Sequence, residues 1–340
     1  MLEITEQNNH ENVINMLDIQ RLSTEDGPGL RTTLFTKGCP LKCAWCHNPE
    51  SISPKRQRVW IDTHCMGCQL CVKACKANAL QMTNTGLIKD AALCADCGAC
   101  ADICPTGAIE VKGDKKSVDE LCYELLKDRA YFEESGGGIT ISGGDPLMQA
   151  EDTAKLFAAL QAQGVQTALD TTLFTSKEKL DLVLPHVDLL LLDIKIFDNV
   201  RHEQWTGVSN IRILENARYI AQRMRKGENP TRLWIRTPII PGATDTVENI
   251  KAIAQFVTAE LGDIFERWEL CAFNNLCKDK YTRLGLDWTF ADATLMRTTQ
   301  MDELLAAAKA TFASSVSSAS LDASADSEKI SWTGAVQMED

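Results

Sequence analysis

Hydrophobic and polar positions along this chain alternate between two patterns. Short runs rich in strand-forming residues occur at Leu30–Thr36, Gly138–Ser142, Gln166–Asp170, Asp188–Asp193, Arg232–Thr237 and Arg267–Ala272. Helix-length amphipathic stretches lie between them, among them Glu151–Gln163 and Ser209–Arg225, and a further helix is expected at Leu121–Ala130. Strand and helix in alternation predict βα units around a parallel sheet, an α/β fold. Six such units suit a partial (β/α)6 barrel better than a closed eightfold one. An open sheet is the alternative, and periodicity alone does not choose between them. From 314 to 340 the chain is rich in Ser, Ala and Asp with few large apolar residues, which predicts a disordered tail.

The chain has 340 residues, 44% hydrophobic and 24% charged, the balance of an ordinary globular protein. Its net charge of -12 argues against nucleic acid as a partner. No apolar run approaches the length of a membrane span, and the polar, acidic start is no signal peptide. A cytoplasmic protein without a membrane partner is therefore expected. Fourteen cysteines in a reducing compartment point to metal or cluster ligation rather than disulfides.

Eleven of those cysteines fall between Cys39 and Cys104. They divide the chain into a core of residues 13–54 and 113–313 and a cysteine-rich insert of residues 55–112, with the tail beyond. Within the insert, Cys65, Cys68, Cys71 and Cys75 repeat as Cys94, Cys97, Cys100 and Cys104, the last followed by Pro105. Separate from this repeat stands Cys39-Pro40-Leu41-Lys42-Cys43-Ala44-Trp45-Cys46. A [4Fe–4S] cluster held by protein alone takes four thiolates. Three leave one iron open to a substrate, by the logic that separates catalytic from structural zinc sites. The loop also follows a strand, where parallel α/β sheets place their ligands. The alternatives are a zinc site, or a fourth ligand from Cys122, Cys271 or Cys277. Those three are otherwise expected to pack in the core, and His64 to lie on the surface.

The CxxxCxxC spacing is that of the radical S-adenosylmethionine (SAM) superfamily, and its surroundings are more specific. Asp26-Gly27-Pro28-Gly29-Leu30-Arg31-Thr32, Lys37-Gly38-Cys39 and Cys46-His47-Asn48-Pro49-Glu50 resemble the glycyl-radical-enzyme activating enzymes. The resemblance continues through Ser142-Gly143-Gly144-Asp145-Pro146, Leu192-Asp193-Ile194-Lys195, Pro238 to Gly242 and Lys280-Tyr281-Thr282-Arg283-Leu284-Gly285. It covers about residues 13 to 290, in order.

That resemblance implies an activity. Reductive cleavage of SAM gives methionine and a 5′-deoxyadenosyl radical, which takes a hydrogen atom from a backbone glycine of a partner glycyl radical enzyme. It also implies roles. Cys39, Cys43 and Cys46 hold the SAM cluster and make the catalytic set. Trp45, Cys46 and His47 lie beside the adenine, the backbone of Gly143 and Gly144 approaches the methionine amino group, Lys195 lies near the carboxylate, and Asp145 and Ile194 complete the cofactor-binding set. Asp170 and Asp193 flank a monovalent cation. This chain departs from many relatives at Asp145, where they have glutamate, at Thr172-Leu173, where they have Ser-Gly, and at Asn274, where a histidine is usual.

The cysteine repeat resembles a two-cluster bacterial ferredoxin, whose fourth cysteine in each run serves the other cluster. The resemblance thus implies one cluster on Cys65, Cys68, Cys71 and Cys104 and another on Cys94, Cys97, Cys100 and Cys75, for three [4Fe–4S] clusters in all. A reduced flavodoxin or ferredoxin is the implied electron donor. A radical SAM enzyme acting on a small molecule is the nearest rival. A non-catalytic electron carrier is a second, but it leaves residues 115 to 313 unexplained.

Overall fold

The computed structural model describes residues 12–228, 231–316 and 328–337. In chain order the strands are β1 (Val13–Ser23), β2 (Arg31–Thr36), β3 (Gln57–Trp60), β4 (Leu80–Thr83), β5 (Gly86–Lys89), β6 (Ile109–Lys112) and β7 (Asp114–Ser117). They continue as β8 (Gly138–Gly143), β9 (Gln166–Thr171), β10 (Leu189–Asp193), β11 (Arg232–Ile239), β12 (Phe265–Ala272) and β13 (Ile330–Thr333). Nine of them form one sheet in the order β13-β12-β11-β10-β9-β8-β2-β1-β7. From β2 through β13 every neighbouring pair is parallel; β1 runs antiparallel between β2 and β7. Among the described residues the sheet is open, with β7 and β13 as its edges.

All six strands expected from the pattern are present, with ends moved by up to two residues. Their composition suits strands covered on both faces: Leu189, Leu190, Leu191 and Leu192 are each at most 1% exposed. One face packs under the helices Ala150–Ala162, Ile211–Arg225, Val247–Phe256 and Thr298–Val316 as the main core. On the other face Ala168, Leu189, Leu191 and Trp234 form a separate apolar patch. Side chains two apart share a face, so continuing that face toward the carboxyl ends brings Asp170, Asp193 and Arg236 above the patch.

The signature Asp26-Gly27-Pro28-Gly29-Leu30-Arg31 locks this sheet at its start. The Arg31 side chain is fully buried across β2, β8 and β9. Its Nε donates to Thr140 Oγ1 at 2.6 Å, Nη1 to Gln166 Oε1 at 2.8 Å and Nη2 to Ile139 O at 2.8 Å. Burial pulls its pKa down to about 10, which still leaves it a cation at neutral pH.

Two expectations are corrected. The single helix at Leu121–Ala130 is instead Val118–Leu125 and Arg129–Ser135, separated by a tighter turn at Leu126–Asp128. Asp128 at that turn is drawn into a tertiary contact, accepting from Thr32 Oγ1 at 2.6 Å and Arg21 Nη1 at 2.5 Å. The expected disordered tail contains β13, paired parallel to β12. Ile330 is only 1% exposed, and Trp332 Nε1 donates to Asp302 Oδ1 at 2.8 Å, so two large side chains anchor a segment whose average composition is polar. Residues 317–327 and 338–340 of that tail lie outside the described residues.

The cysteine-rich segment carries two small antiparallel sheets, β3 with β6 and β4 with β5. Cys71, Leu80, Leu87 and Ile109 form a hydrophobic cluster of its own, apart from the main core. Among the described residues no helix is long and apolar enough to cross a membrane.

Candidate functional site

The loop after β2 carries Cys39, Cys43 and Cys46, and the rest of the fold clamps it. Cys39 N donates to Ile52 O at 3.0 Å, Lys42 N to Thr206 O at 2.7 Å and Ala44 N to Trp205 O at 3.0 Å. From the far side Trp288 Nε1 donates to Ala44 O at 3.0 Å and Tyr281 OH to Cys46 O at 2.9 Å. Lys280 Nζ donates to His47 O at 3.1 Å and Asn48 Oδ1 at 2.6 Å. The motif from Lys280 to Gly285 is therefore a brace behind the cysteine loop.

A cavity of about 750 Å³ opens above the apolar patch at the carboxyl ends of the strands. All three loop cysteines line it, with Trp45, His47, Gly143, Gly144, Asp170, Asp193 and Lys195. Two expected site residues are not in its lining. Ile194, next to inward-facing Asp193, points to the opposite face and is 2% exposed in the core. Asp145 is 2% exposed beneath the turn, where its carboxylate accepts from Thr171 Oγ1 at 2.9 Å, Thr172 Oγ1 at 3.0 Å and Leu147 N at 3.0 Å. It ties β8 to β9, and its backbone N–H reaches Gly38 O at 2.8 Å.

The glycines are required by the chain's own backbone. A Cβ on Gly143, at φ +112°, would lie 2.2 Å from Thr36 N, and one on Gly144 would lie 2.2 Å from Gly38 O. The turn thus presses directly against the start of the cysteine loop. His47 is held by Nε2–H donation to Asn274 O at 3.0 Å, so at position 274 it is the backbone that serves this contact.

Strand register builds the charges of the site. Asp193 on β10 pairs with Arg236 on β11, which pairs with Glu269 on β12. Lys195 Nζ lies 2.6 Å from Asp193 Oδ2. Burial alone would lower the Lys195 pKa, but Asp193, Cys43 and Asp170 outweigh it and raise it. Burial, then the Asp193 charge, pushes Asp170 up to about 6, against the pull of Arg236 and of Ser142 Oγ at 2.6 Å. Burial raises the thiols of Cys39, Cys43 and Cys46, Cys46 to about 12, so their thiolates call for strong positive charge alongside. Iron supplies such charge, and these donors fit it. Among the described residues no three or more His, Cys, Asp or Glu side chains are arranged around a single metal ion. A multi-iron cluster spaces its ligands more widely.

Sequence reasoning missed Arg236 and Glu269, although a charge inside the apolar strand Leu233-Trp234-Ile235-Arg236 was a usable signal. It also favoured core packing for Cys271 over a place at the site. Cys271 lines the cavity, because it follows Glu269 by two and shares its inward face. Cys277 is 5% exposed in the core, behind the cysteine loop, and Cys122 packs partly buried against the core.

The insert brings its cysteines into two groups. Cys65, Cys68, Cys71 and Cys104 line a narrow cleft, and Cys75, Cys94, Cys97 and Cys100 line a cavity of about 400 Å³. Equivalent positions of the repeat, Gln69 and Gly98, turn left-handed at φ 59° and 85° and start the short helices Leu70–Ala74 and Ala99–Asp102.

Comparison with known proteins shows the family of the chain. A family model described as a 4Fe-4S single cluster domain matches residues 25–214. The (2S)-3-sulfopropanediol dehydratase activating enzyme of Klebsiella oxytoca is 40% identical over 83% of this chain and 89% of its own length. The isethionate sulfite-lyase activating enzyme of Oleidesulfovibrio alaskensis is 38% identical over 78% of this chain and 85% of its own. The indoleacetate decarboxylase activating enzyme of Tractidigestivibacter scatoligenes is 36% identical over 85% and 92%. With relatives this similar along most of its length, and three cysteines of radical SAM spacing in one cavity at the carboxyl ends of the strands, the chain belongs to the radical SAM activating enzymes of glycyl radical enzymes.

Proposed function

We propose that this chain installs a glycyl radical on a partner enzyme using three [4Fe–4S] clusters. In this reading residues 13–54 and 113–313, with β13 added at the edge of their sheet, form a partial (β/α)6 barrel, and residues 55–112 an inserted ferredoxin-type domain. The supporting observation is that three loop thiols, the Gly143-Gly144 turn and the Asp193–Lys195 pair line one cavity at the carboxyl ends of the strands. When bound, the cluster and SAM supply a 5′-deoxyadenosyl radical by one-electron cleavage of the sulfonium, with methionine as the other product.

The chain's residues hold and aim that chemistry. Cys39, Cys43 and Cys46 would hold the cluster, and with three protein thiolates it would keep a position open for SAM. Lys195, kept cationic by Asp193, pairs with the carboxylate. The backbone of the Gly143-Gly144 turn receives the amino group, with Asp145 as a brace below. Trp45 and His47 flank the adenine. Asp170 and Asp193 would hold a monovalent cation, whose charge would relieve their repulsion. The open mouth admits the glycine-bearing segment of the partner. The insert takes electrons from a reduced flavodoxin or ferredoxin, with one cluster on Cys65, Cys68, Cys71 and Cys104 and one on Cys75, Cys94, Cys97 and Cys100.

The test is anaerobic. Protein loaded with iron and sulfide is given dithionite and SAM, and 5′-deoxyadenosine is quantified for wild type and Cys43→Ala. Wild type should form it and the variant should not. Electron paramagnetic resonance on candidate partners then looks for the glycyl doublet. A fully iron-loaded wild type that forms no 5′-deoxyadenosine would refute the proposal.

A further inference from the structure

Strand β3 runs along both cysteine-lined cavities of the insert. Arg58 and Trp60 are two residues apart and so share a face of that strand. Arg58 lines the cavity of Cys75, Cys94, Cys97 and Cys100; Trp60 lines the cleft of Cys65, Cys68, Cys71 and Cys104. The Nε and Nη1 of Arg58 and the Nε1 of Trp60 are buried N–H groups with no acceptor among the described residues. Buried donors are almost always paired, so these three are aimed at acceptors that the chain itself does not supply. Gly86 makes room for the indole: a Cβ there, at φ +119°, would lie 2.3 Å from the Trp60 ring.

The two linings differ in charge. Beside Arg58 the cavity is lined by a second cation, Lys76, and by Asp96, whose carboxylate is ion-paired with Lys89 at 3.0 Å. Apart from its thiols, the cleft beside Trp60 is lined by neutral side chains. Iron–sulfur clusters gain negative charge on reduction, and their sulfurs accept hydrogen bonds, so nearby cations and N–H donors raise their potentials.

We propose that Arg58 and Trp60 are positioning residues that donate to the sulfurs of the two insert clusters and set them at different potentials, the cluster beside Arg58 being the higher. This rests on the reading of the insert as two cluster sites. An electron entering the insert then resides first on the Cys75, Cys94, Cys97 and Cys100 cluster.

The experiment uses the full chain carrying Cys39→Ala, Cys43→Ala and Cys46→Ala, which removes the SAM cluster and leaves the insert. After anaerobic loading, iron content is measured and the clusters are titrated redox-wise under electron paramagnetic resonance. Roughly eight irons per chain are expected for two clusters. Far fewer would refute the two-cluster reading itself, before any potential is measured. With eight irons present, two resolved one-electron steps are expected. Arg58→Gln should lower the upper step by at least tenfold in the reduction equilibrium, about 59 mV for one electron, and Arg58→Lys should restore most of it. Trp60→Phe should lower only the lower step, by less than tenfold. The inference is overturned if a fully loaded Arg58→Gln chain keeps both potentials. It is equally overturned, with no Arg58 variant needed, if the two clusters of the parent chain titrate as one step.

Discussion

Asp170→Asn should make the apoprotein more stable at pH 8 while impairing its chemistry. The carboxyl is raised from 3.8 to about 6 by burial and by Asp193, and its side chain is 18% exposed. A folded-state pKa above the unfolded one favours folding below pH 3.8, and that contribution is lost as pH rises through 6. A displacement of that size makes the ionised protein about 3 kcal/mol less stable above pH 6 than an unshifted group would. Asparagine removes this penalty and keeps an acceptor for Ser142 Oγ, but its amide N–H groups need partners, at about 1 kcal/mol. The net gain is about 2 kcal/mol at pH 8. The titrating part shrinks by about half at pH 5, as the wild-type carboxyl protonates. Urea unfolding of wild type and variant apoprotein at pH 8 and pH 5 reads both quantities. A variant no more stable than wild type at pH 8, or a difference that does not change with pH, would refute the electrostatic account. 5′-Deoxyadenosine formation by the loaded variant should fall, because the acid is held there against stability.

Other perturbations read other parts of the structure. Gly144→Ala puts a Cβ 2.2 Å from Gly38 O and should cost about 1–3 kcal/mol with reduced iron uptake, measured by unfolding and iron assay. Tyr281→Phe removes the donor to Cys46 O; about 1 kcal/mol of stability and faster cluster loss in air are expected, followed by the decay of iron–sulfur absorbance. Ile330→Ala truncates a side chain 1% exposed and should cost about 2–5 kcal/mol in unfolding experiments, whereas a disordered tail would show no change.

The parallel strands were legible in the sequence because a strand buried on both faces must be apolar along its length, a local property. The three cysteines proposed to hold the cluster stood out because their spacing is a local pattern within eight residues. The repeat alone keeps each run of four cysteines together, and only the resemblance to a two-cluster ferredoxin exchanged Cys75 with Cys104; in the structure Cys104 lines the cleft of Cys65, Cys68 and Cys71, and Cys75 the cavity of Cys94, Cys97 and Cys100. What needed the tertiary structure is the direction in which each side chain faces. Asp145 and Ile194 stand beside residues of the cavity, yet one braces β8 to β9 from below and the other enters the core. Arg236 and Glu269, 33 residues apart, meet only because β11 and β12 pair in that register. Strand β13 exists because β12 offers it an edge and because the core takes up Ile330. Sequence alone determined six parallel strands of the main sheet and most of the residues proposed for the site, since apolar runs and motif spacing depend on neighbours along the chain. The fold alone decided which of those residues share the cavity, since facing and register arise only when distant strands pair.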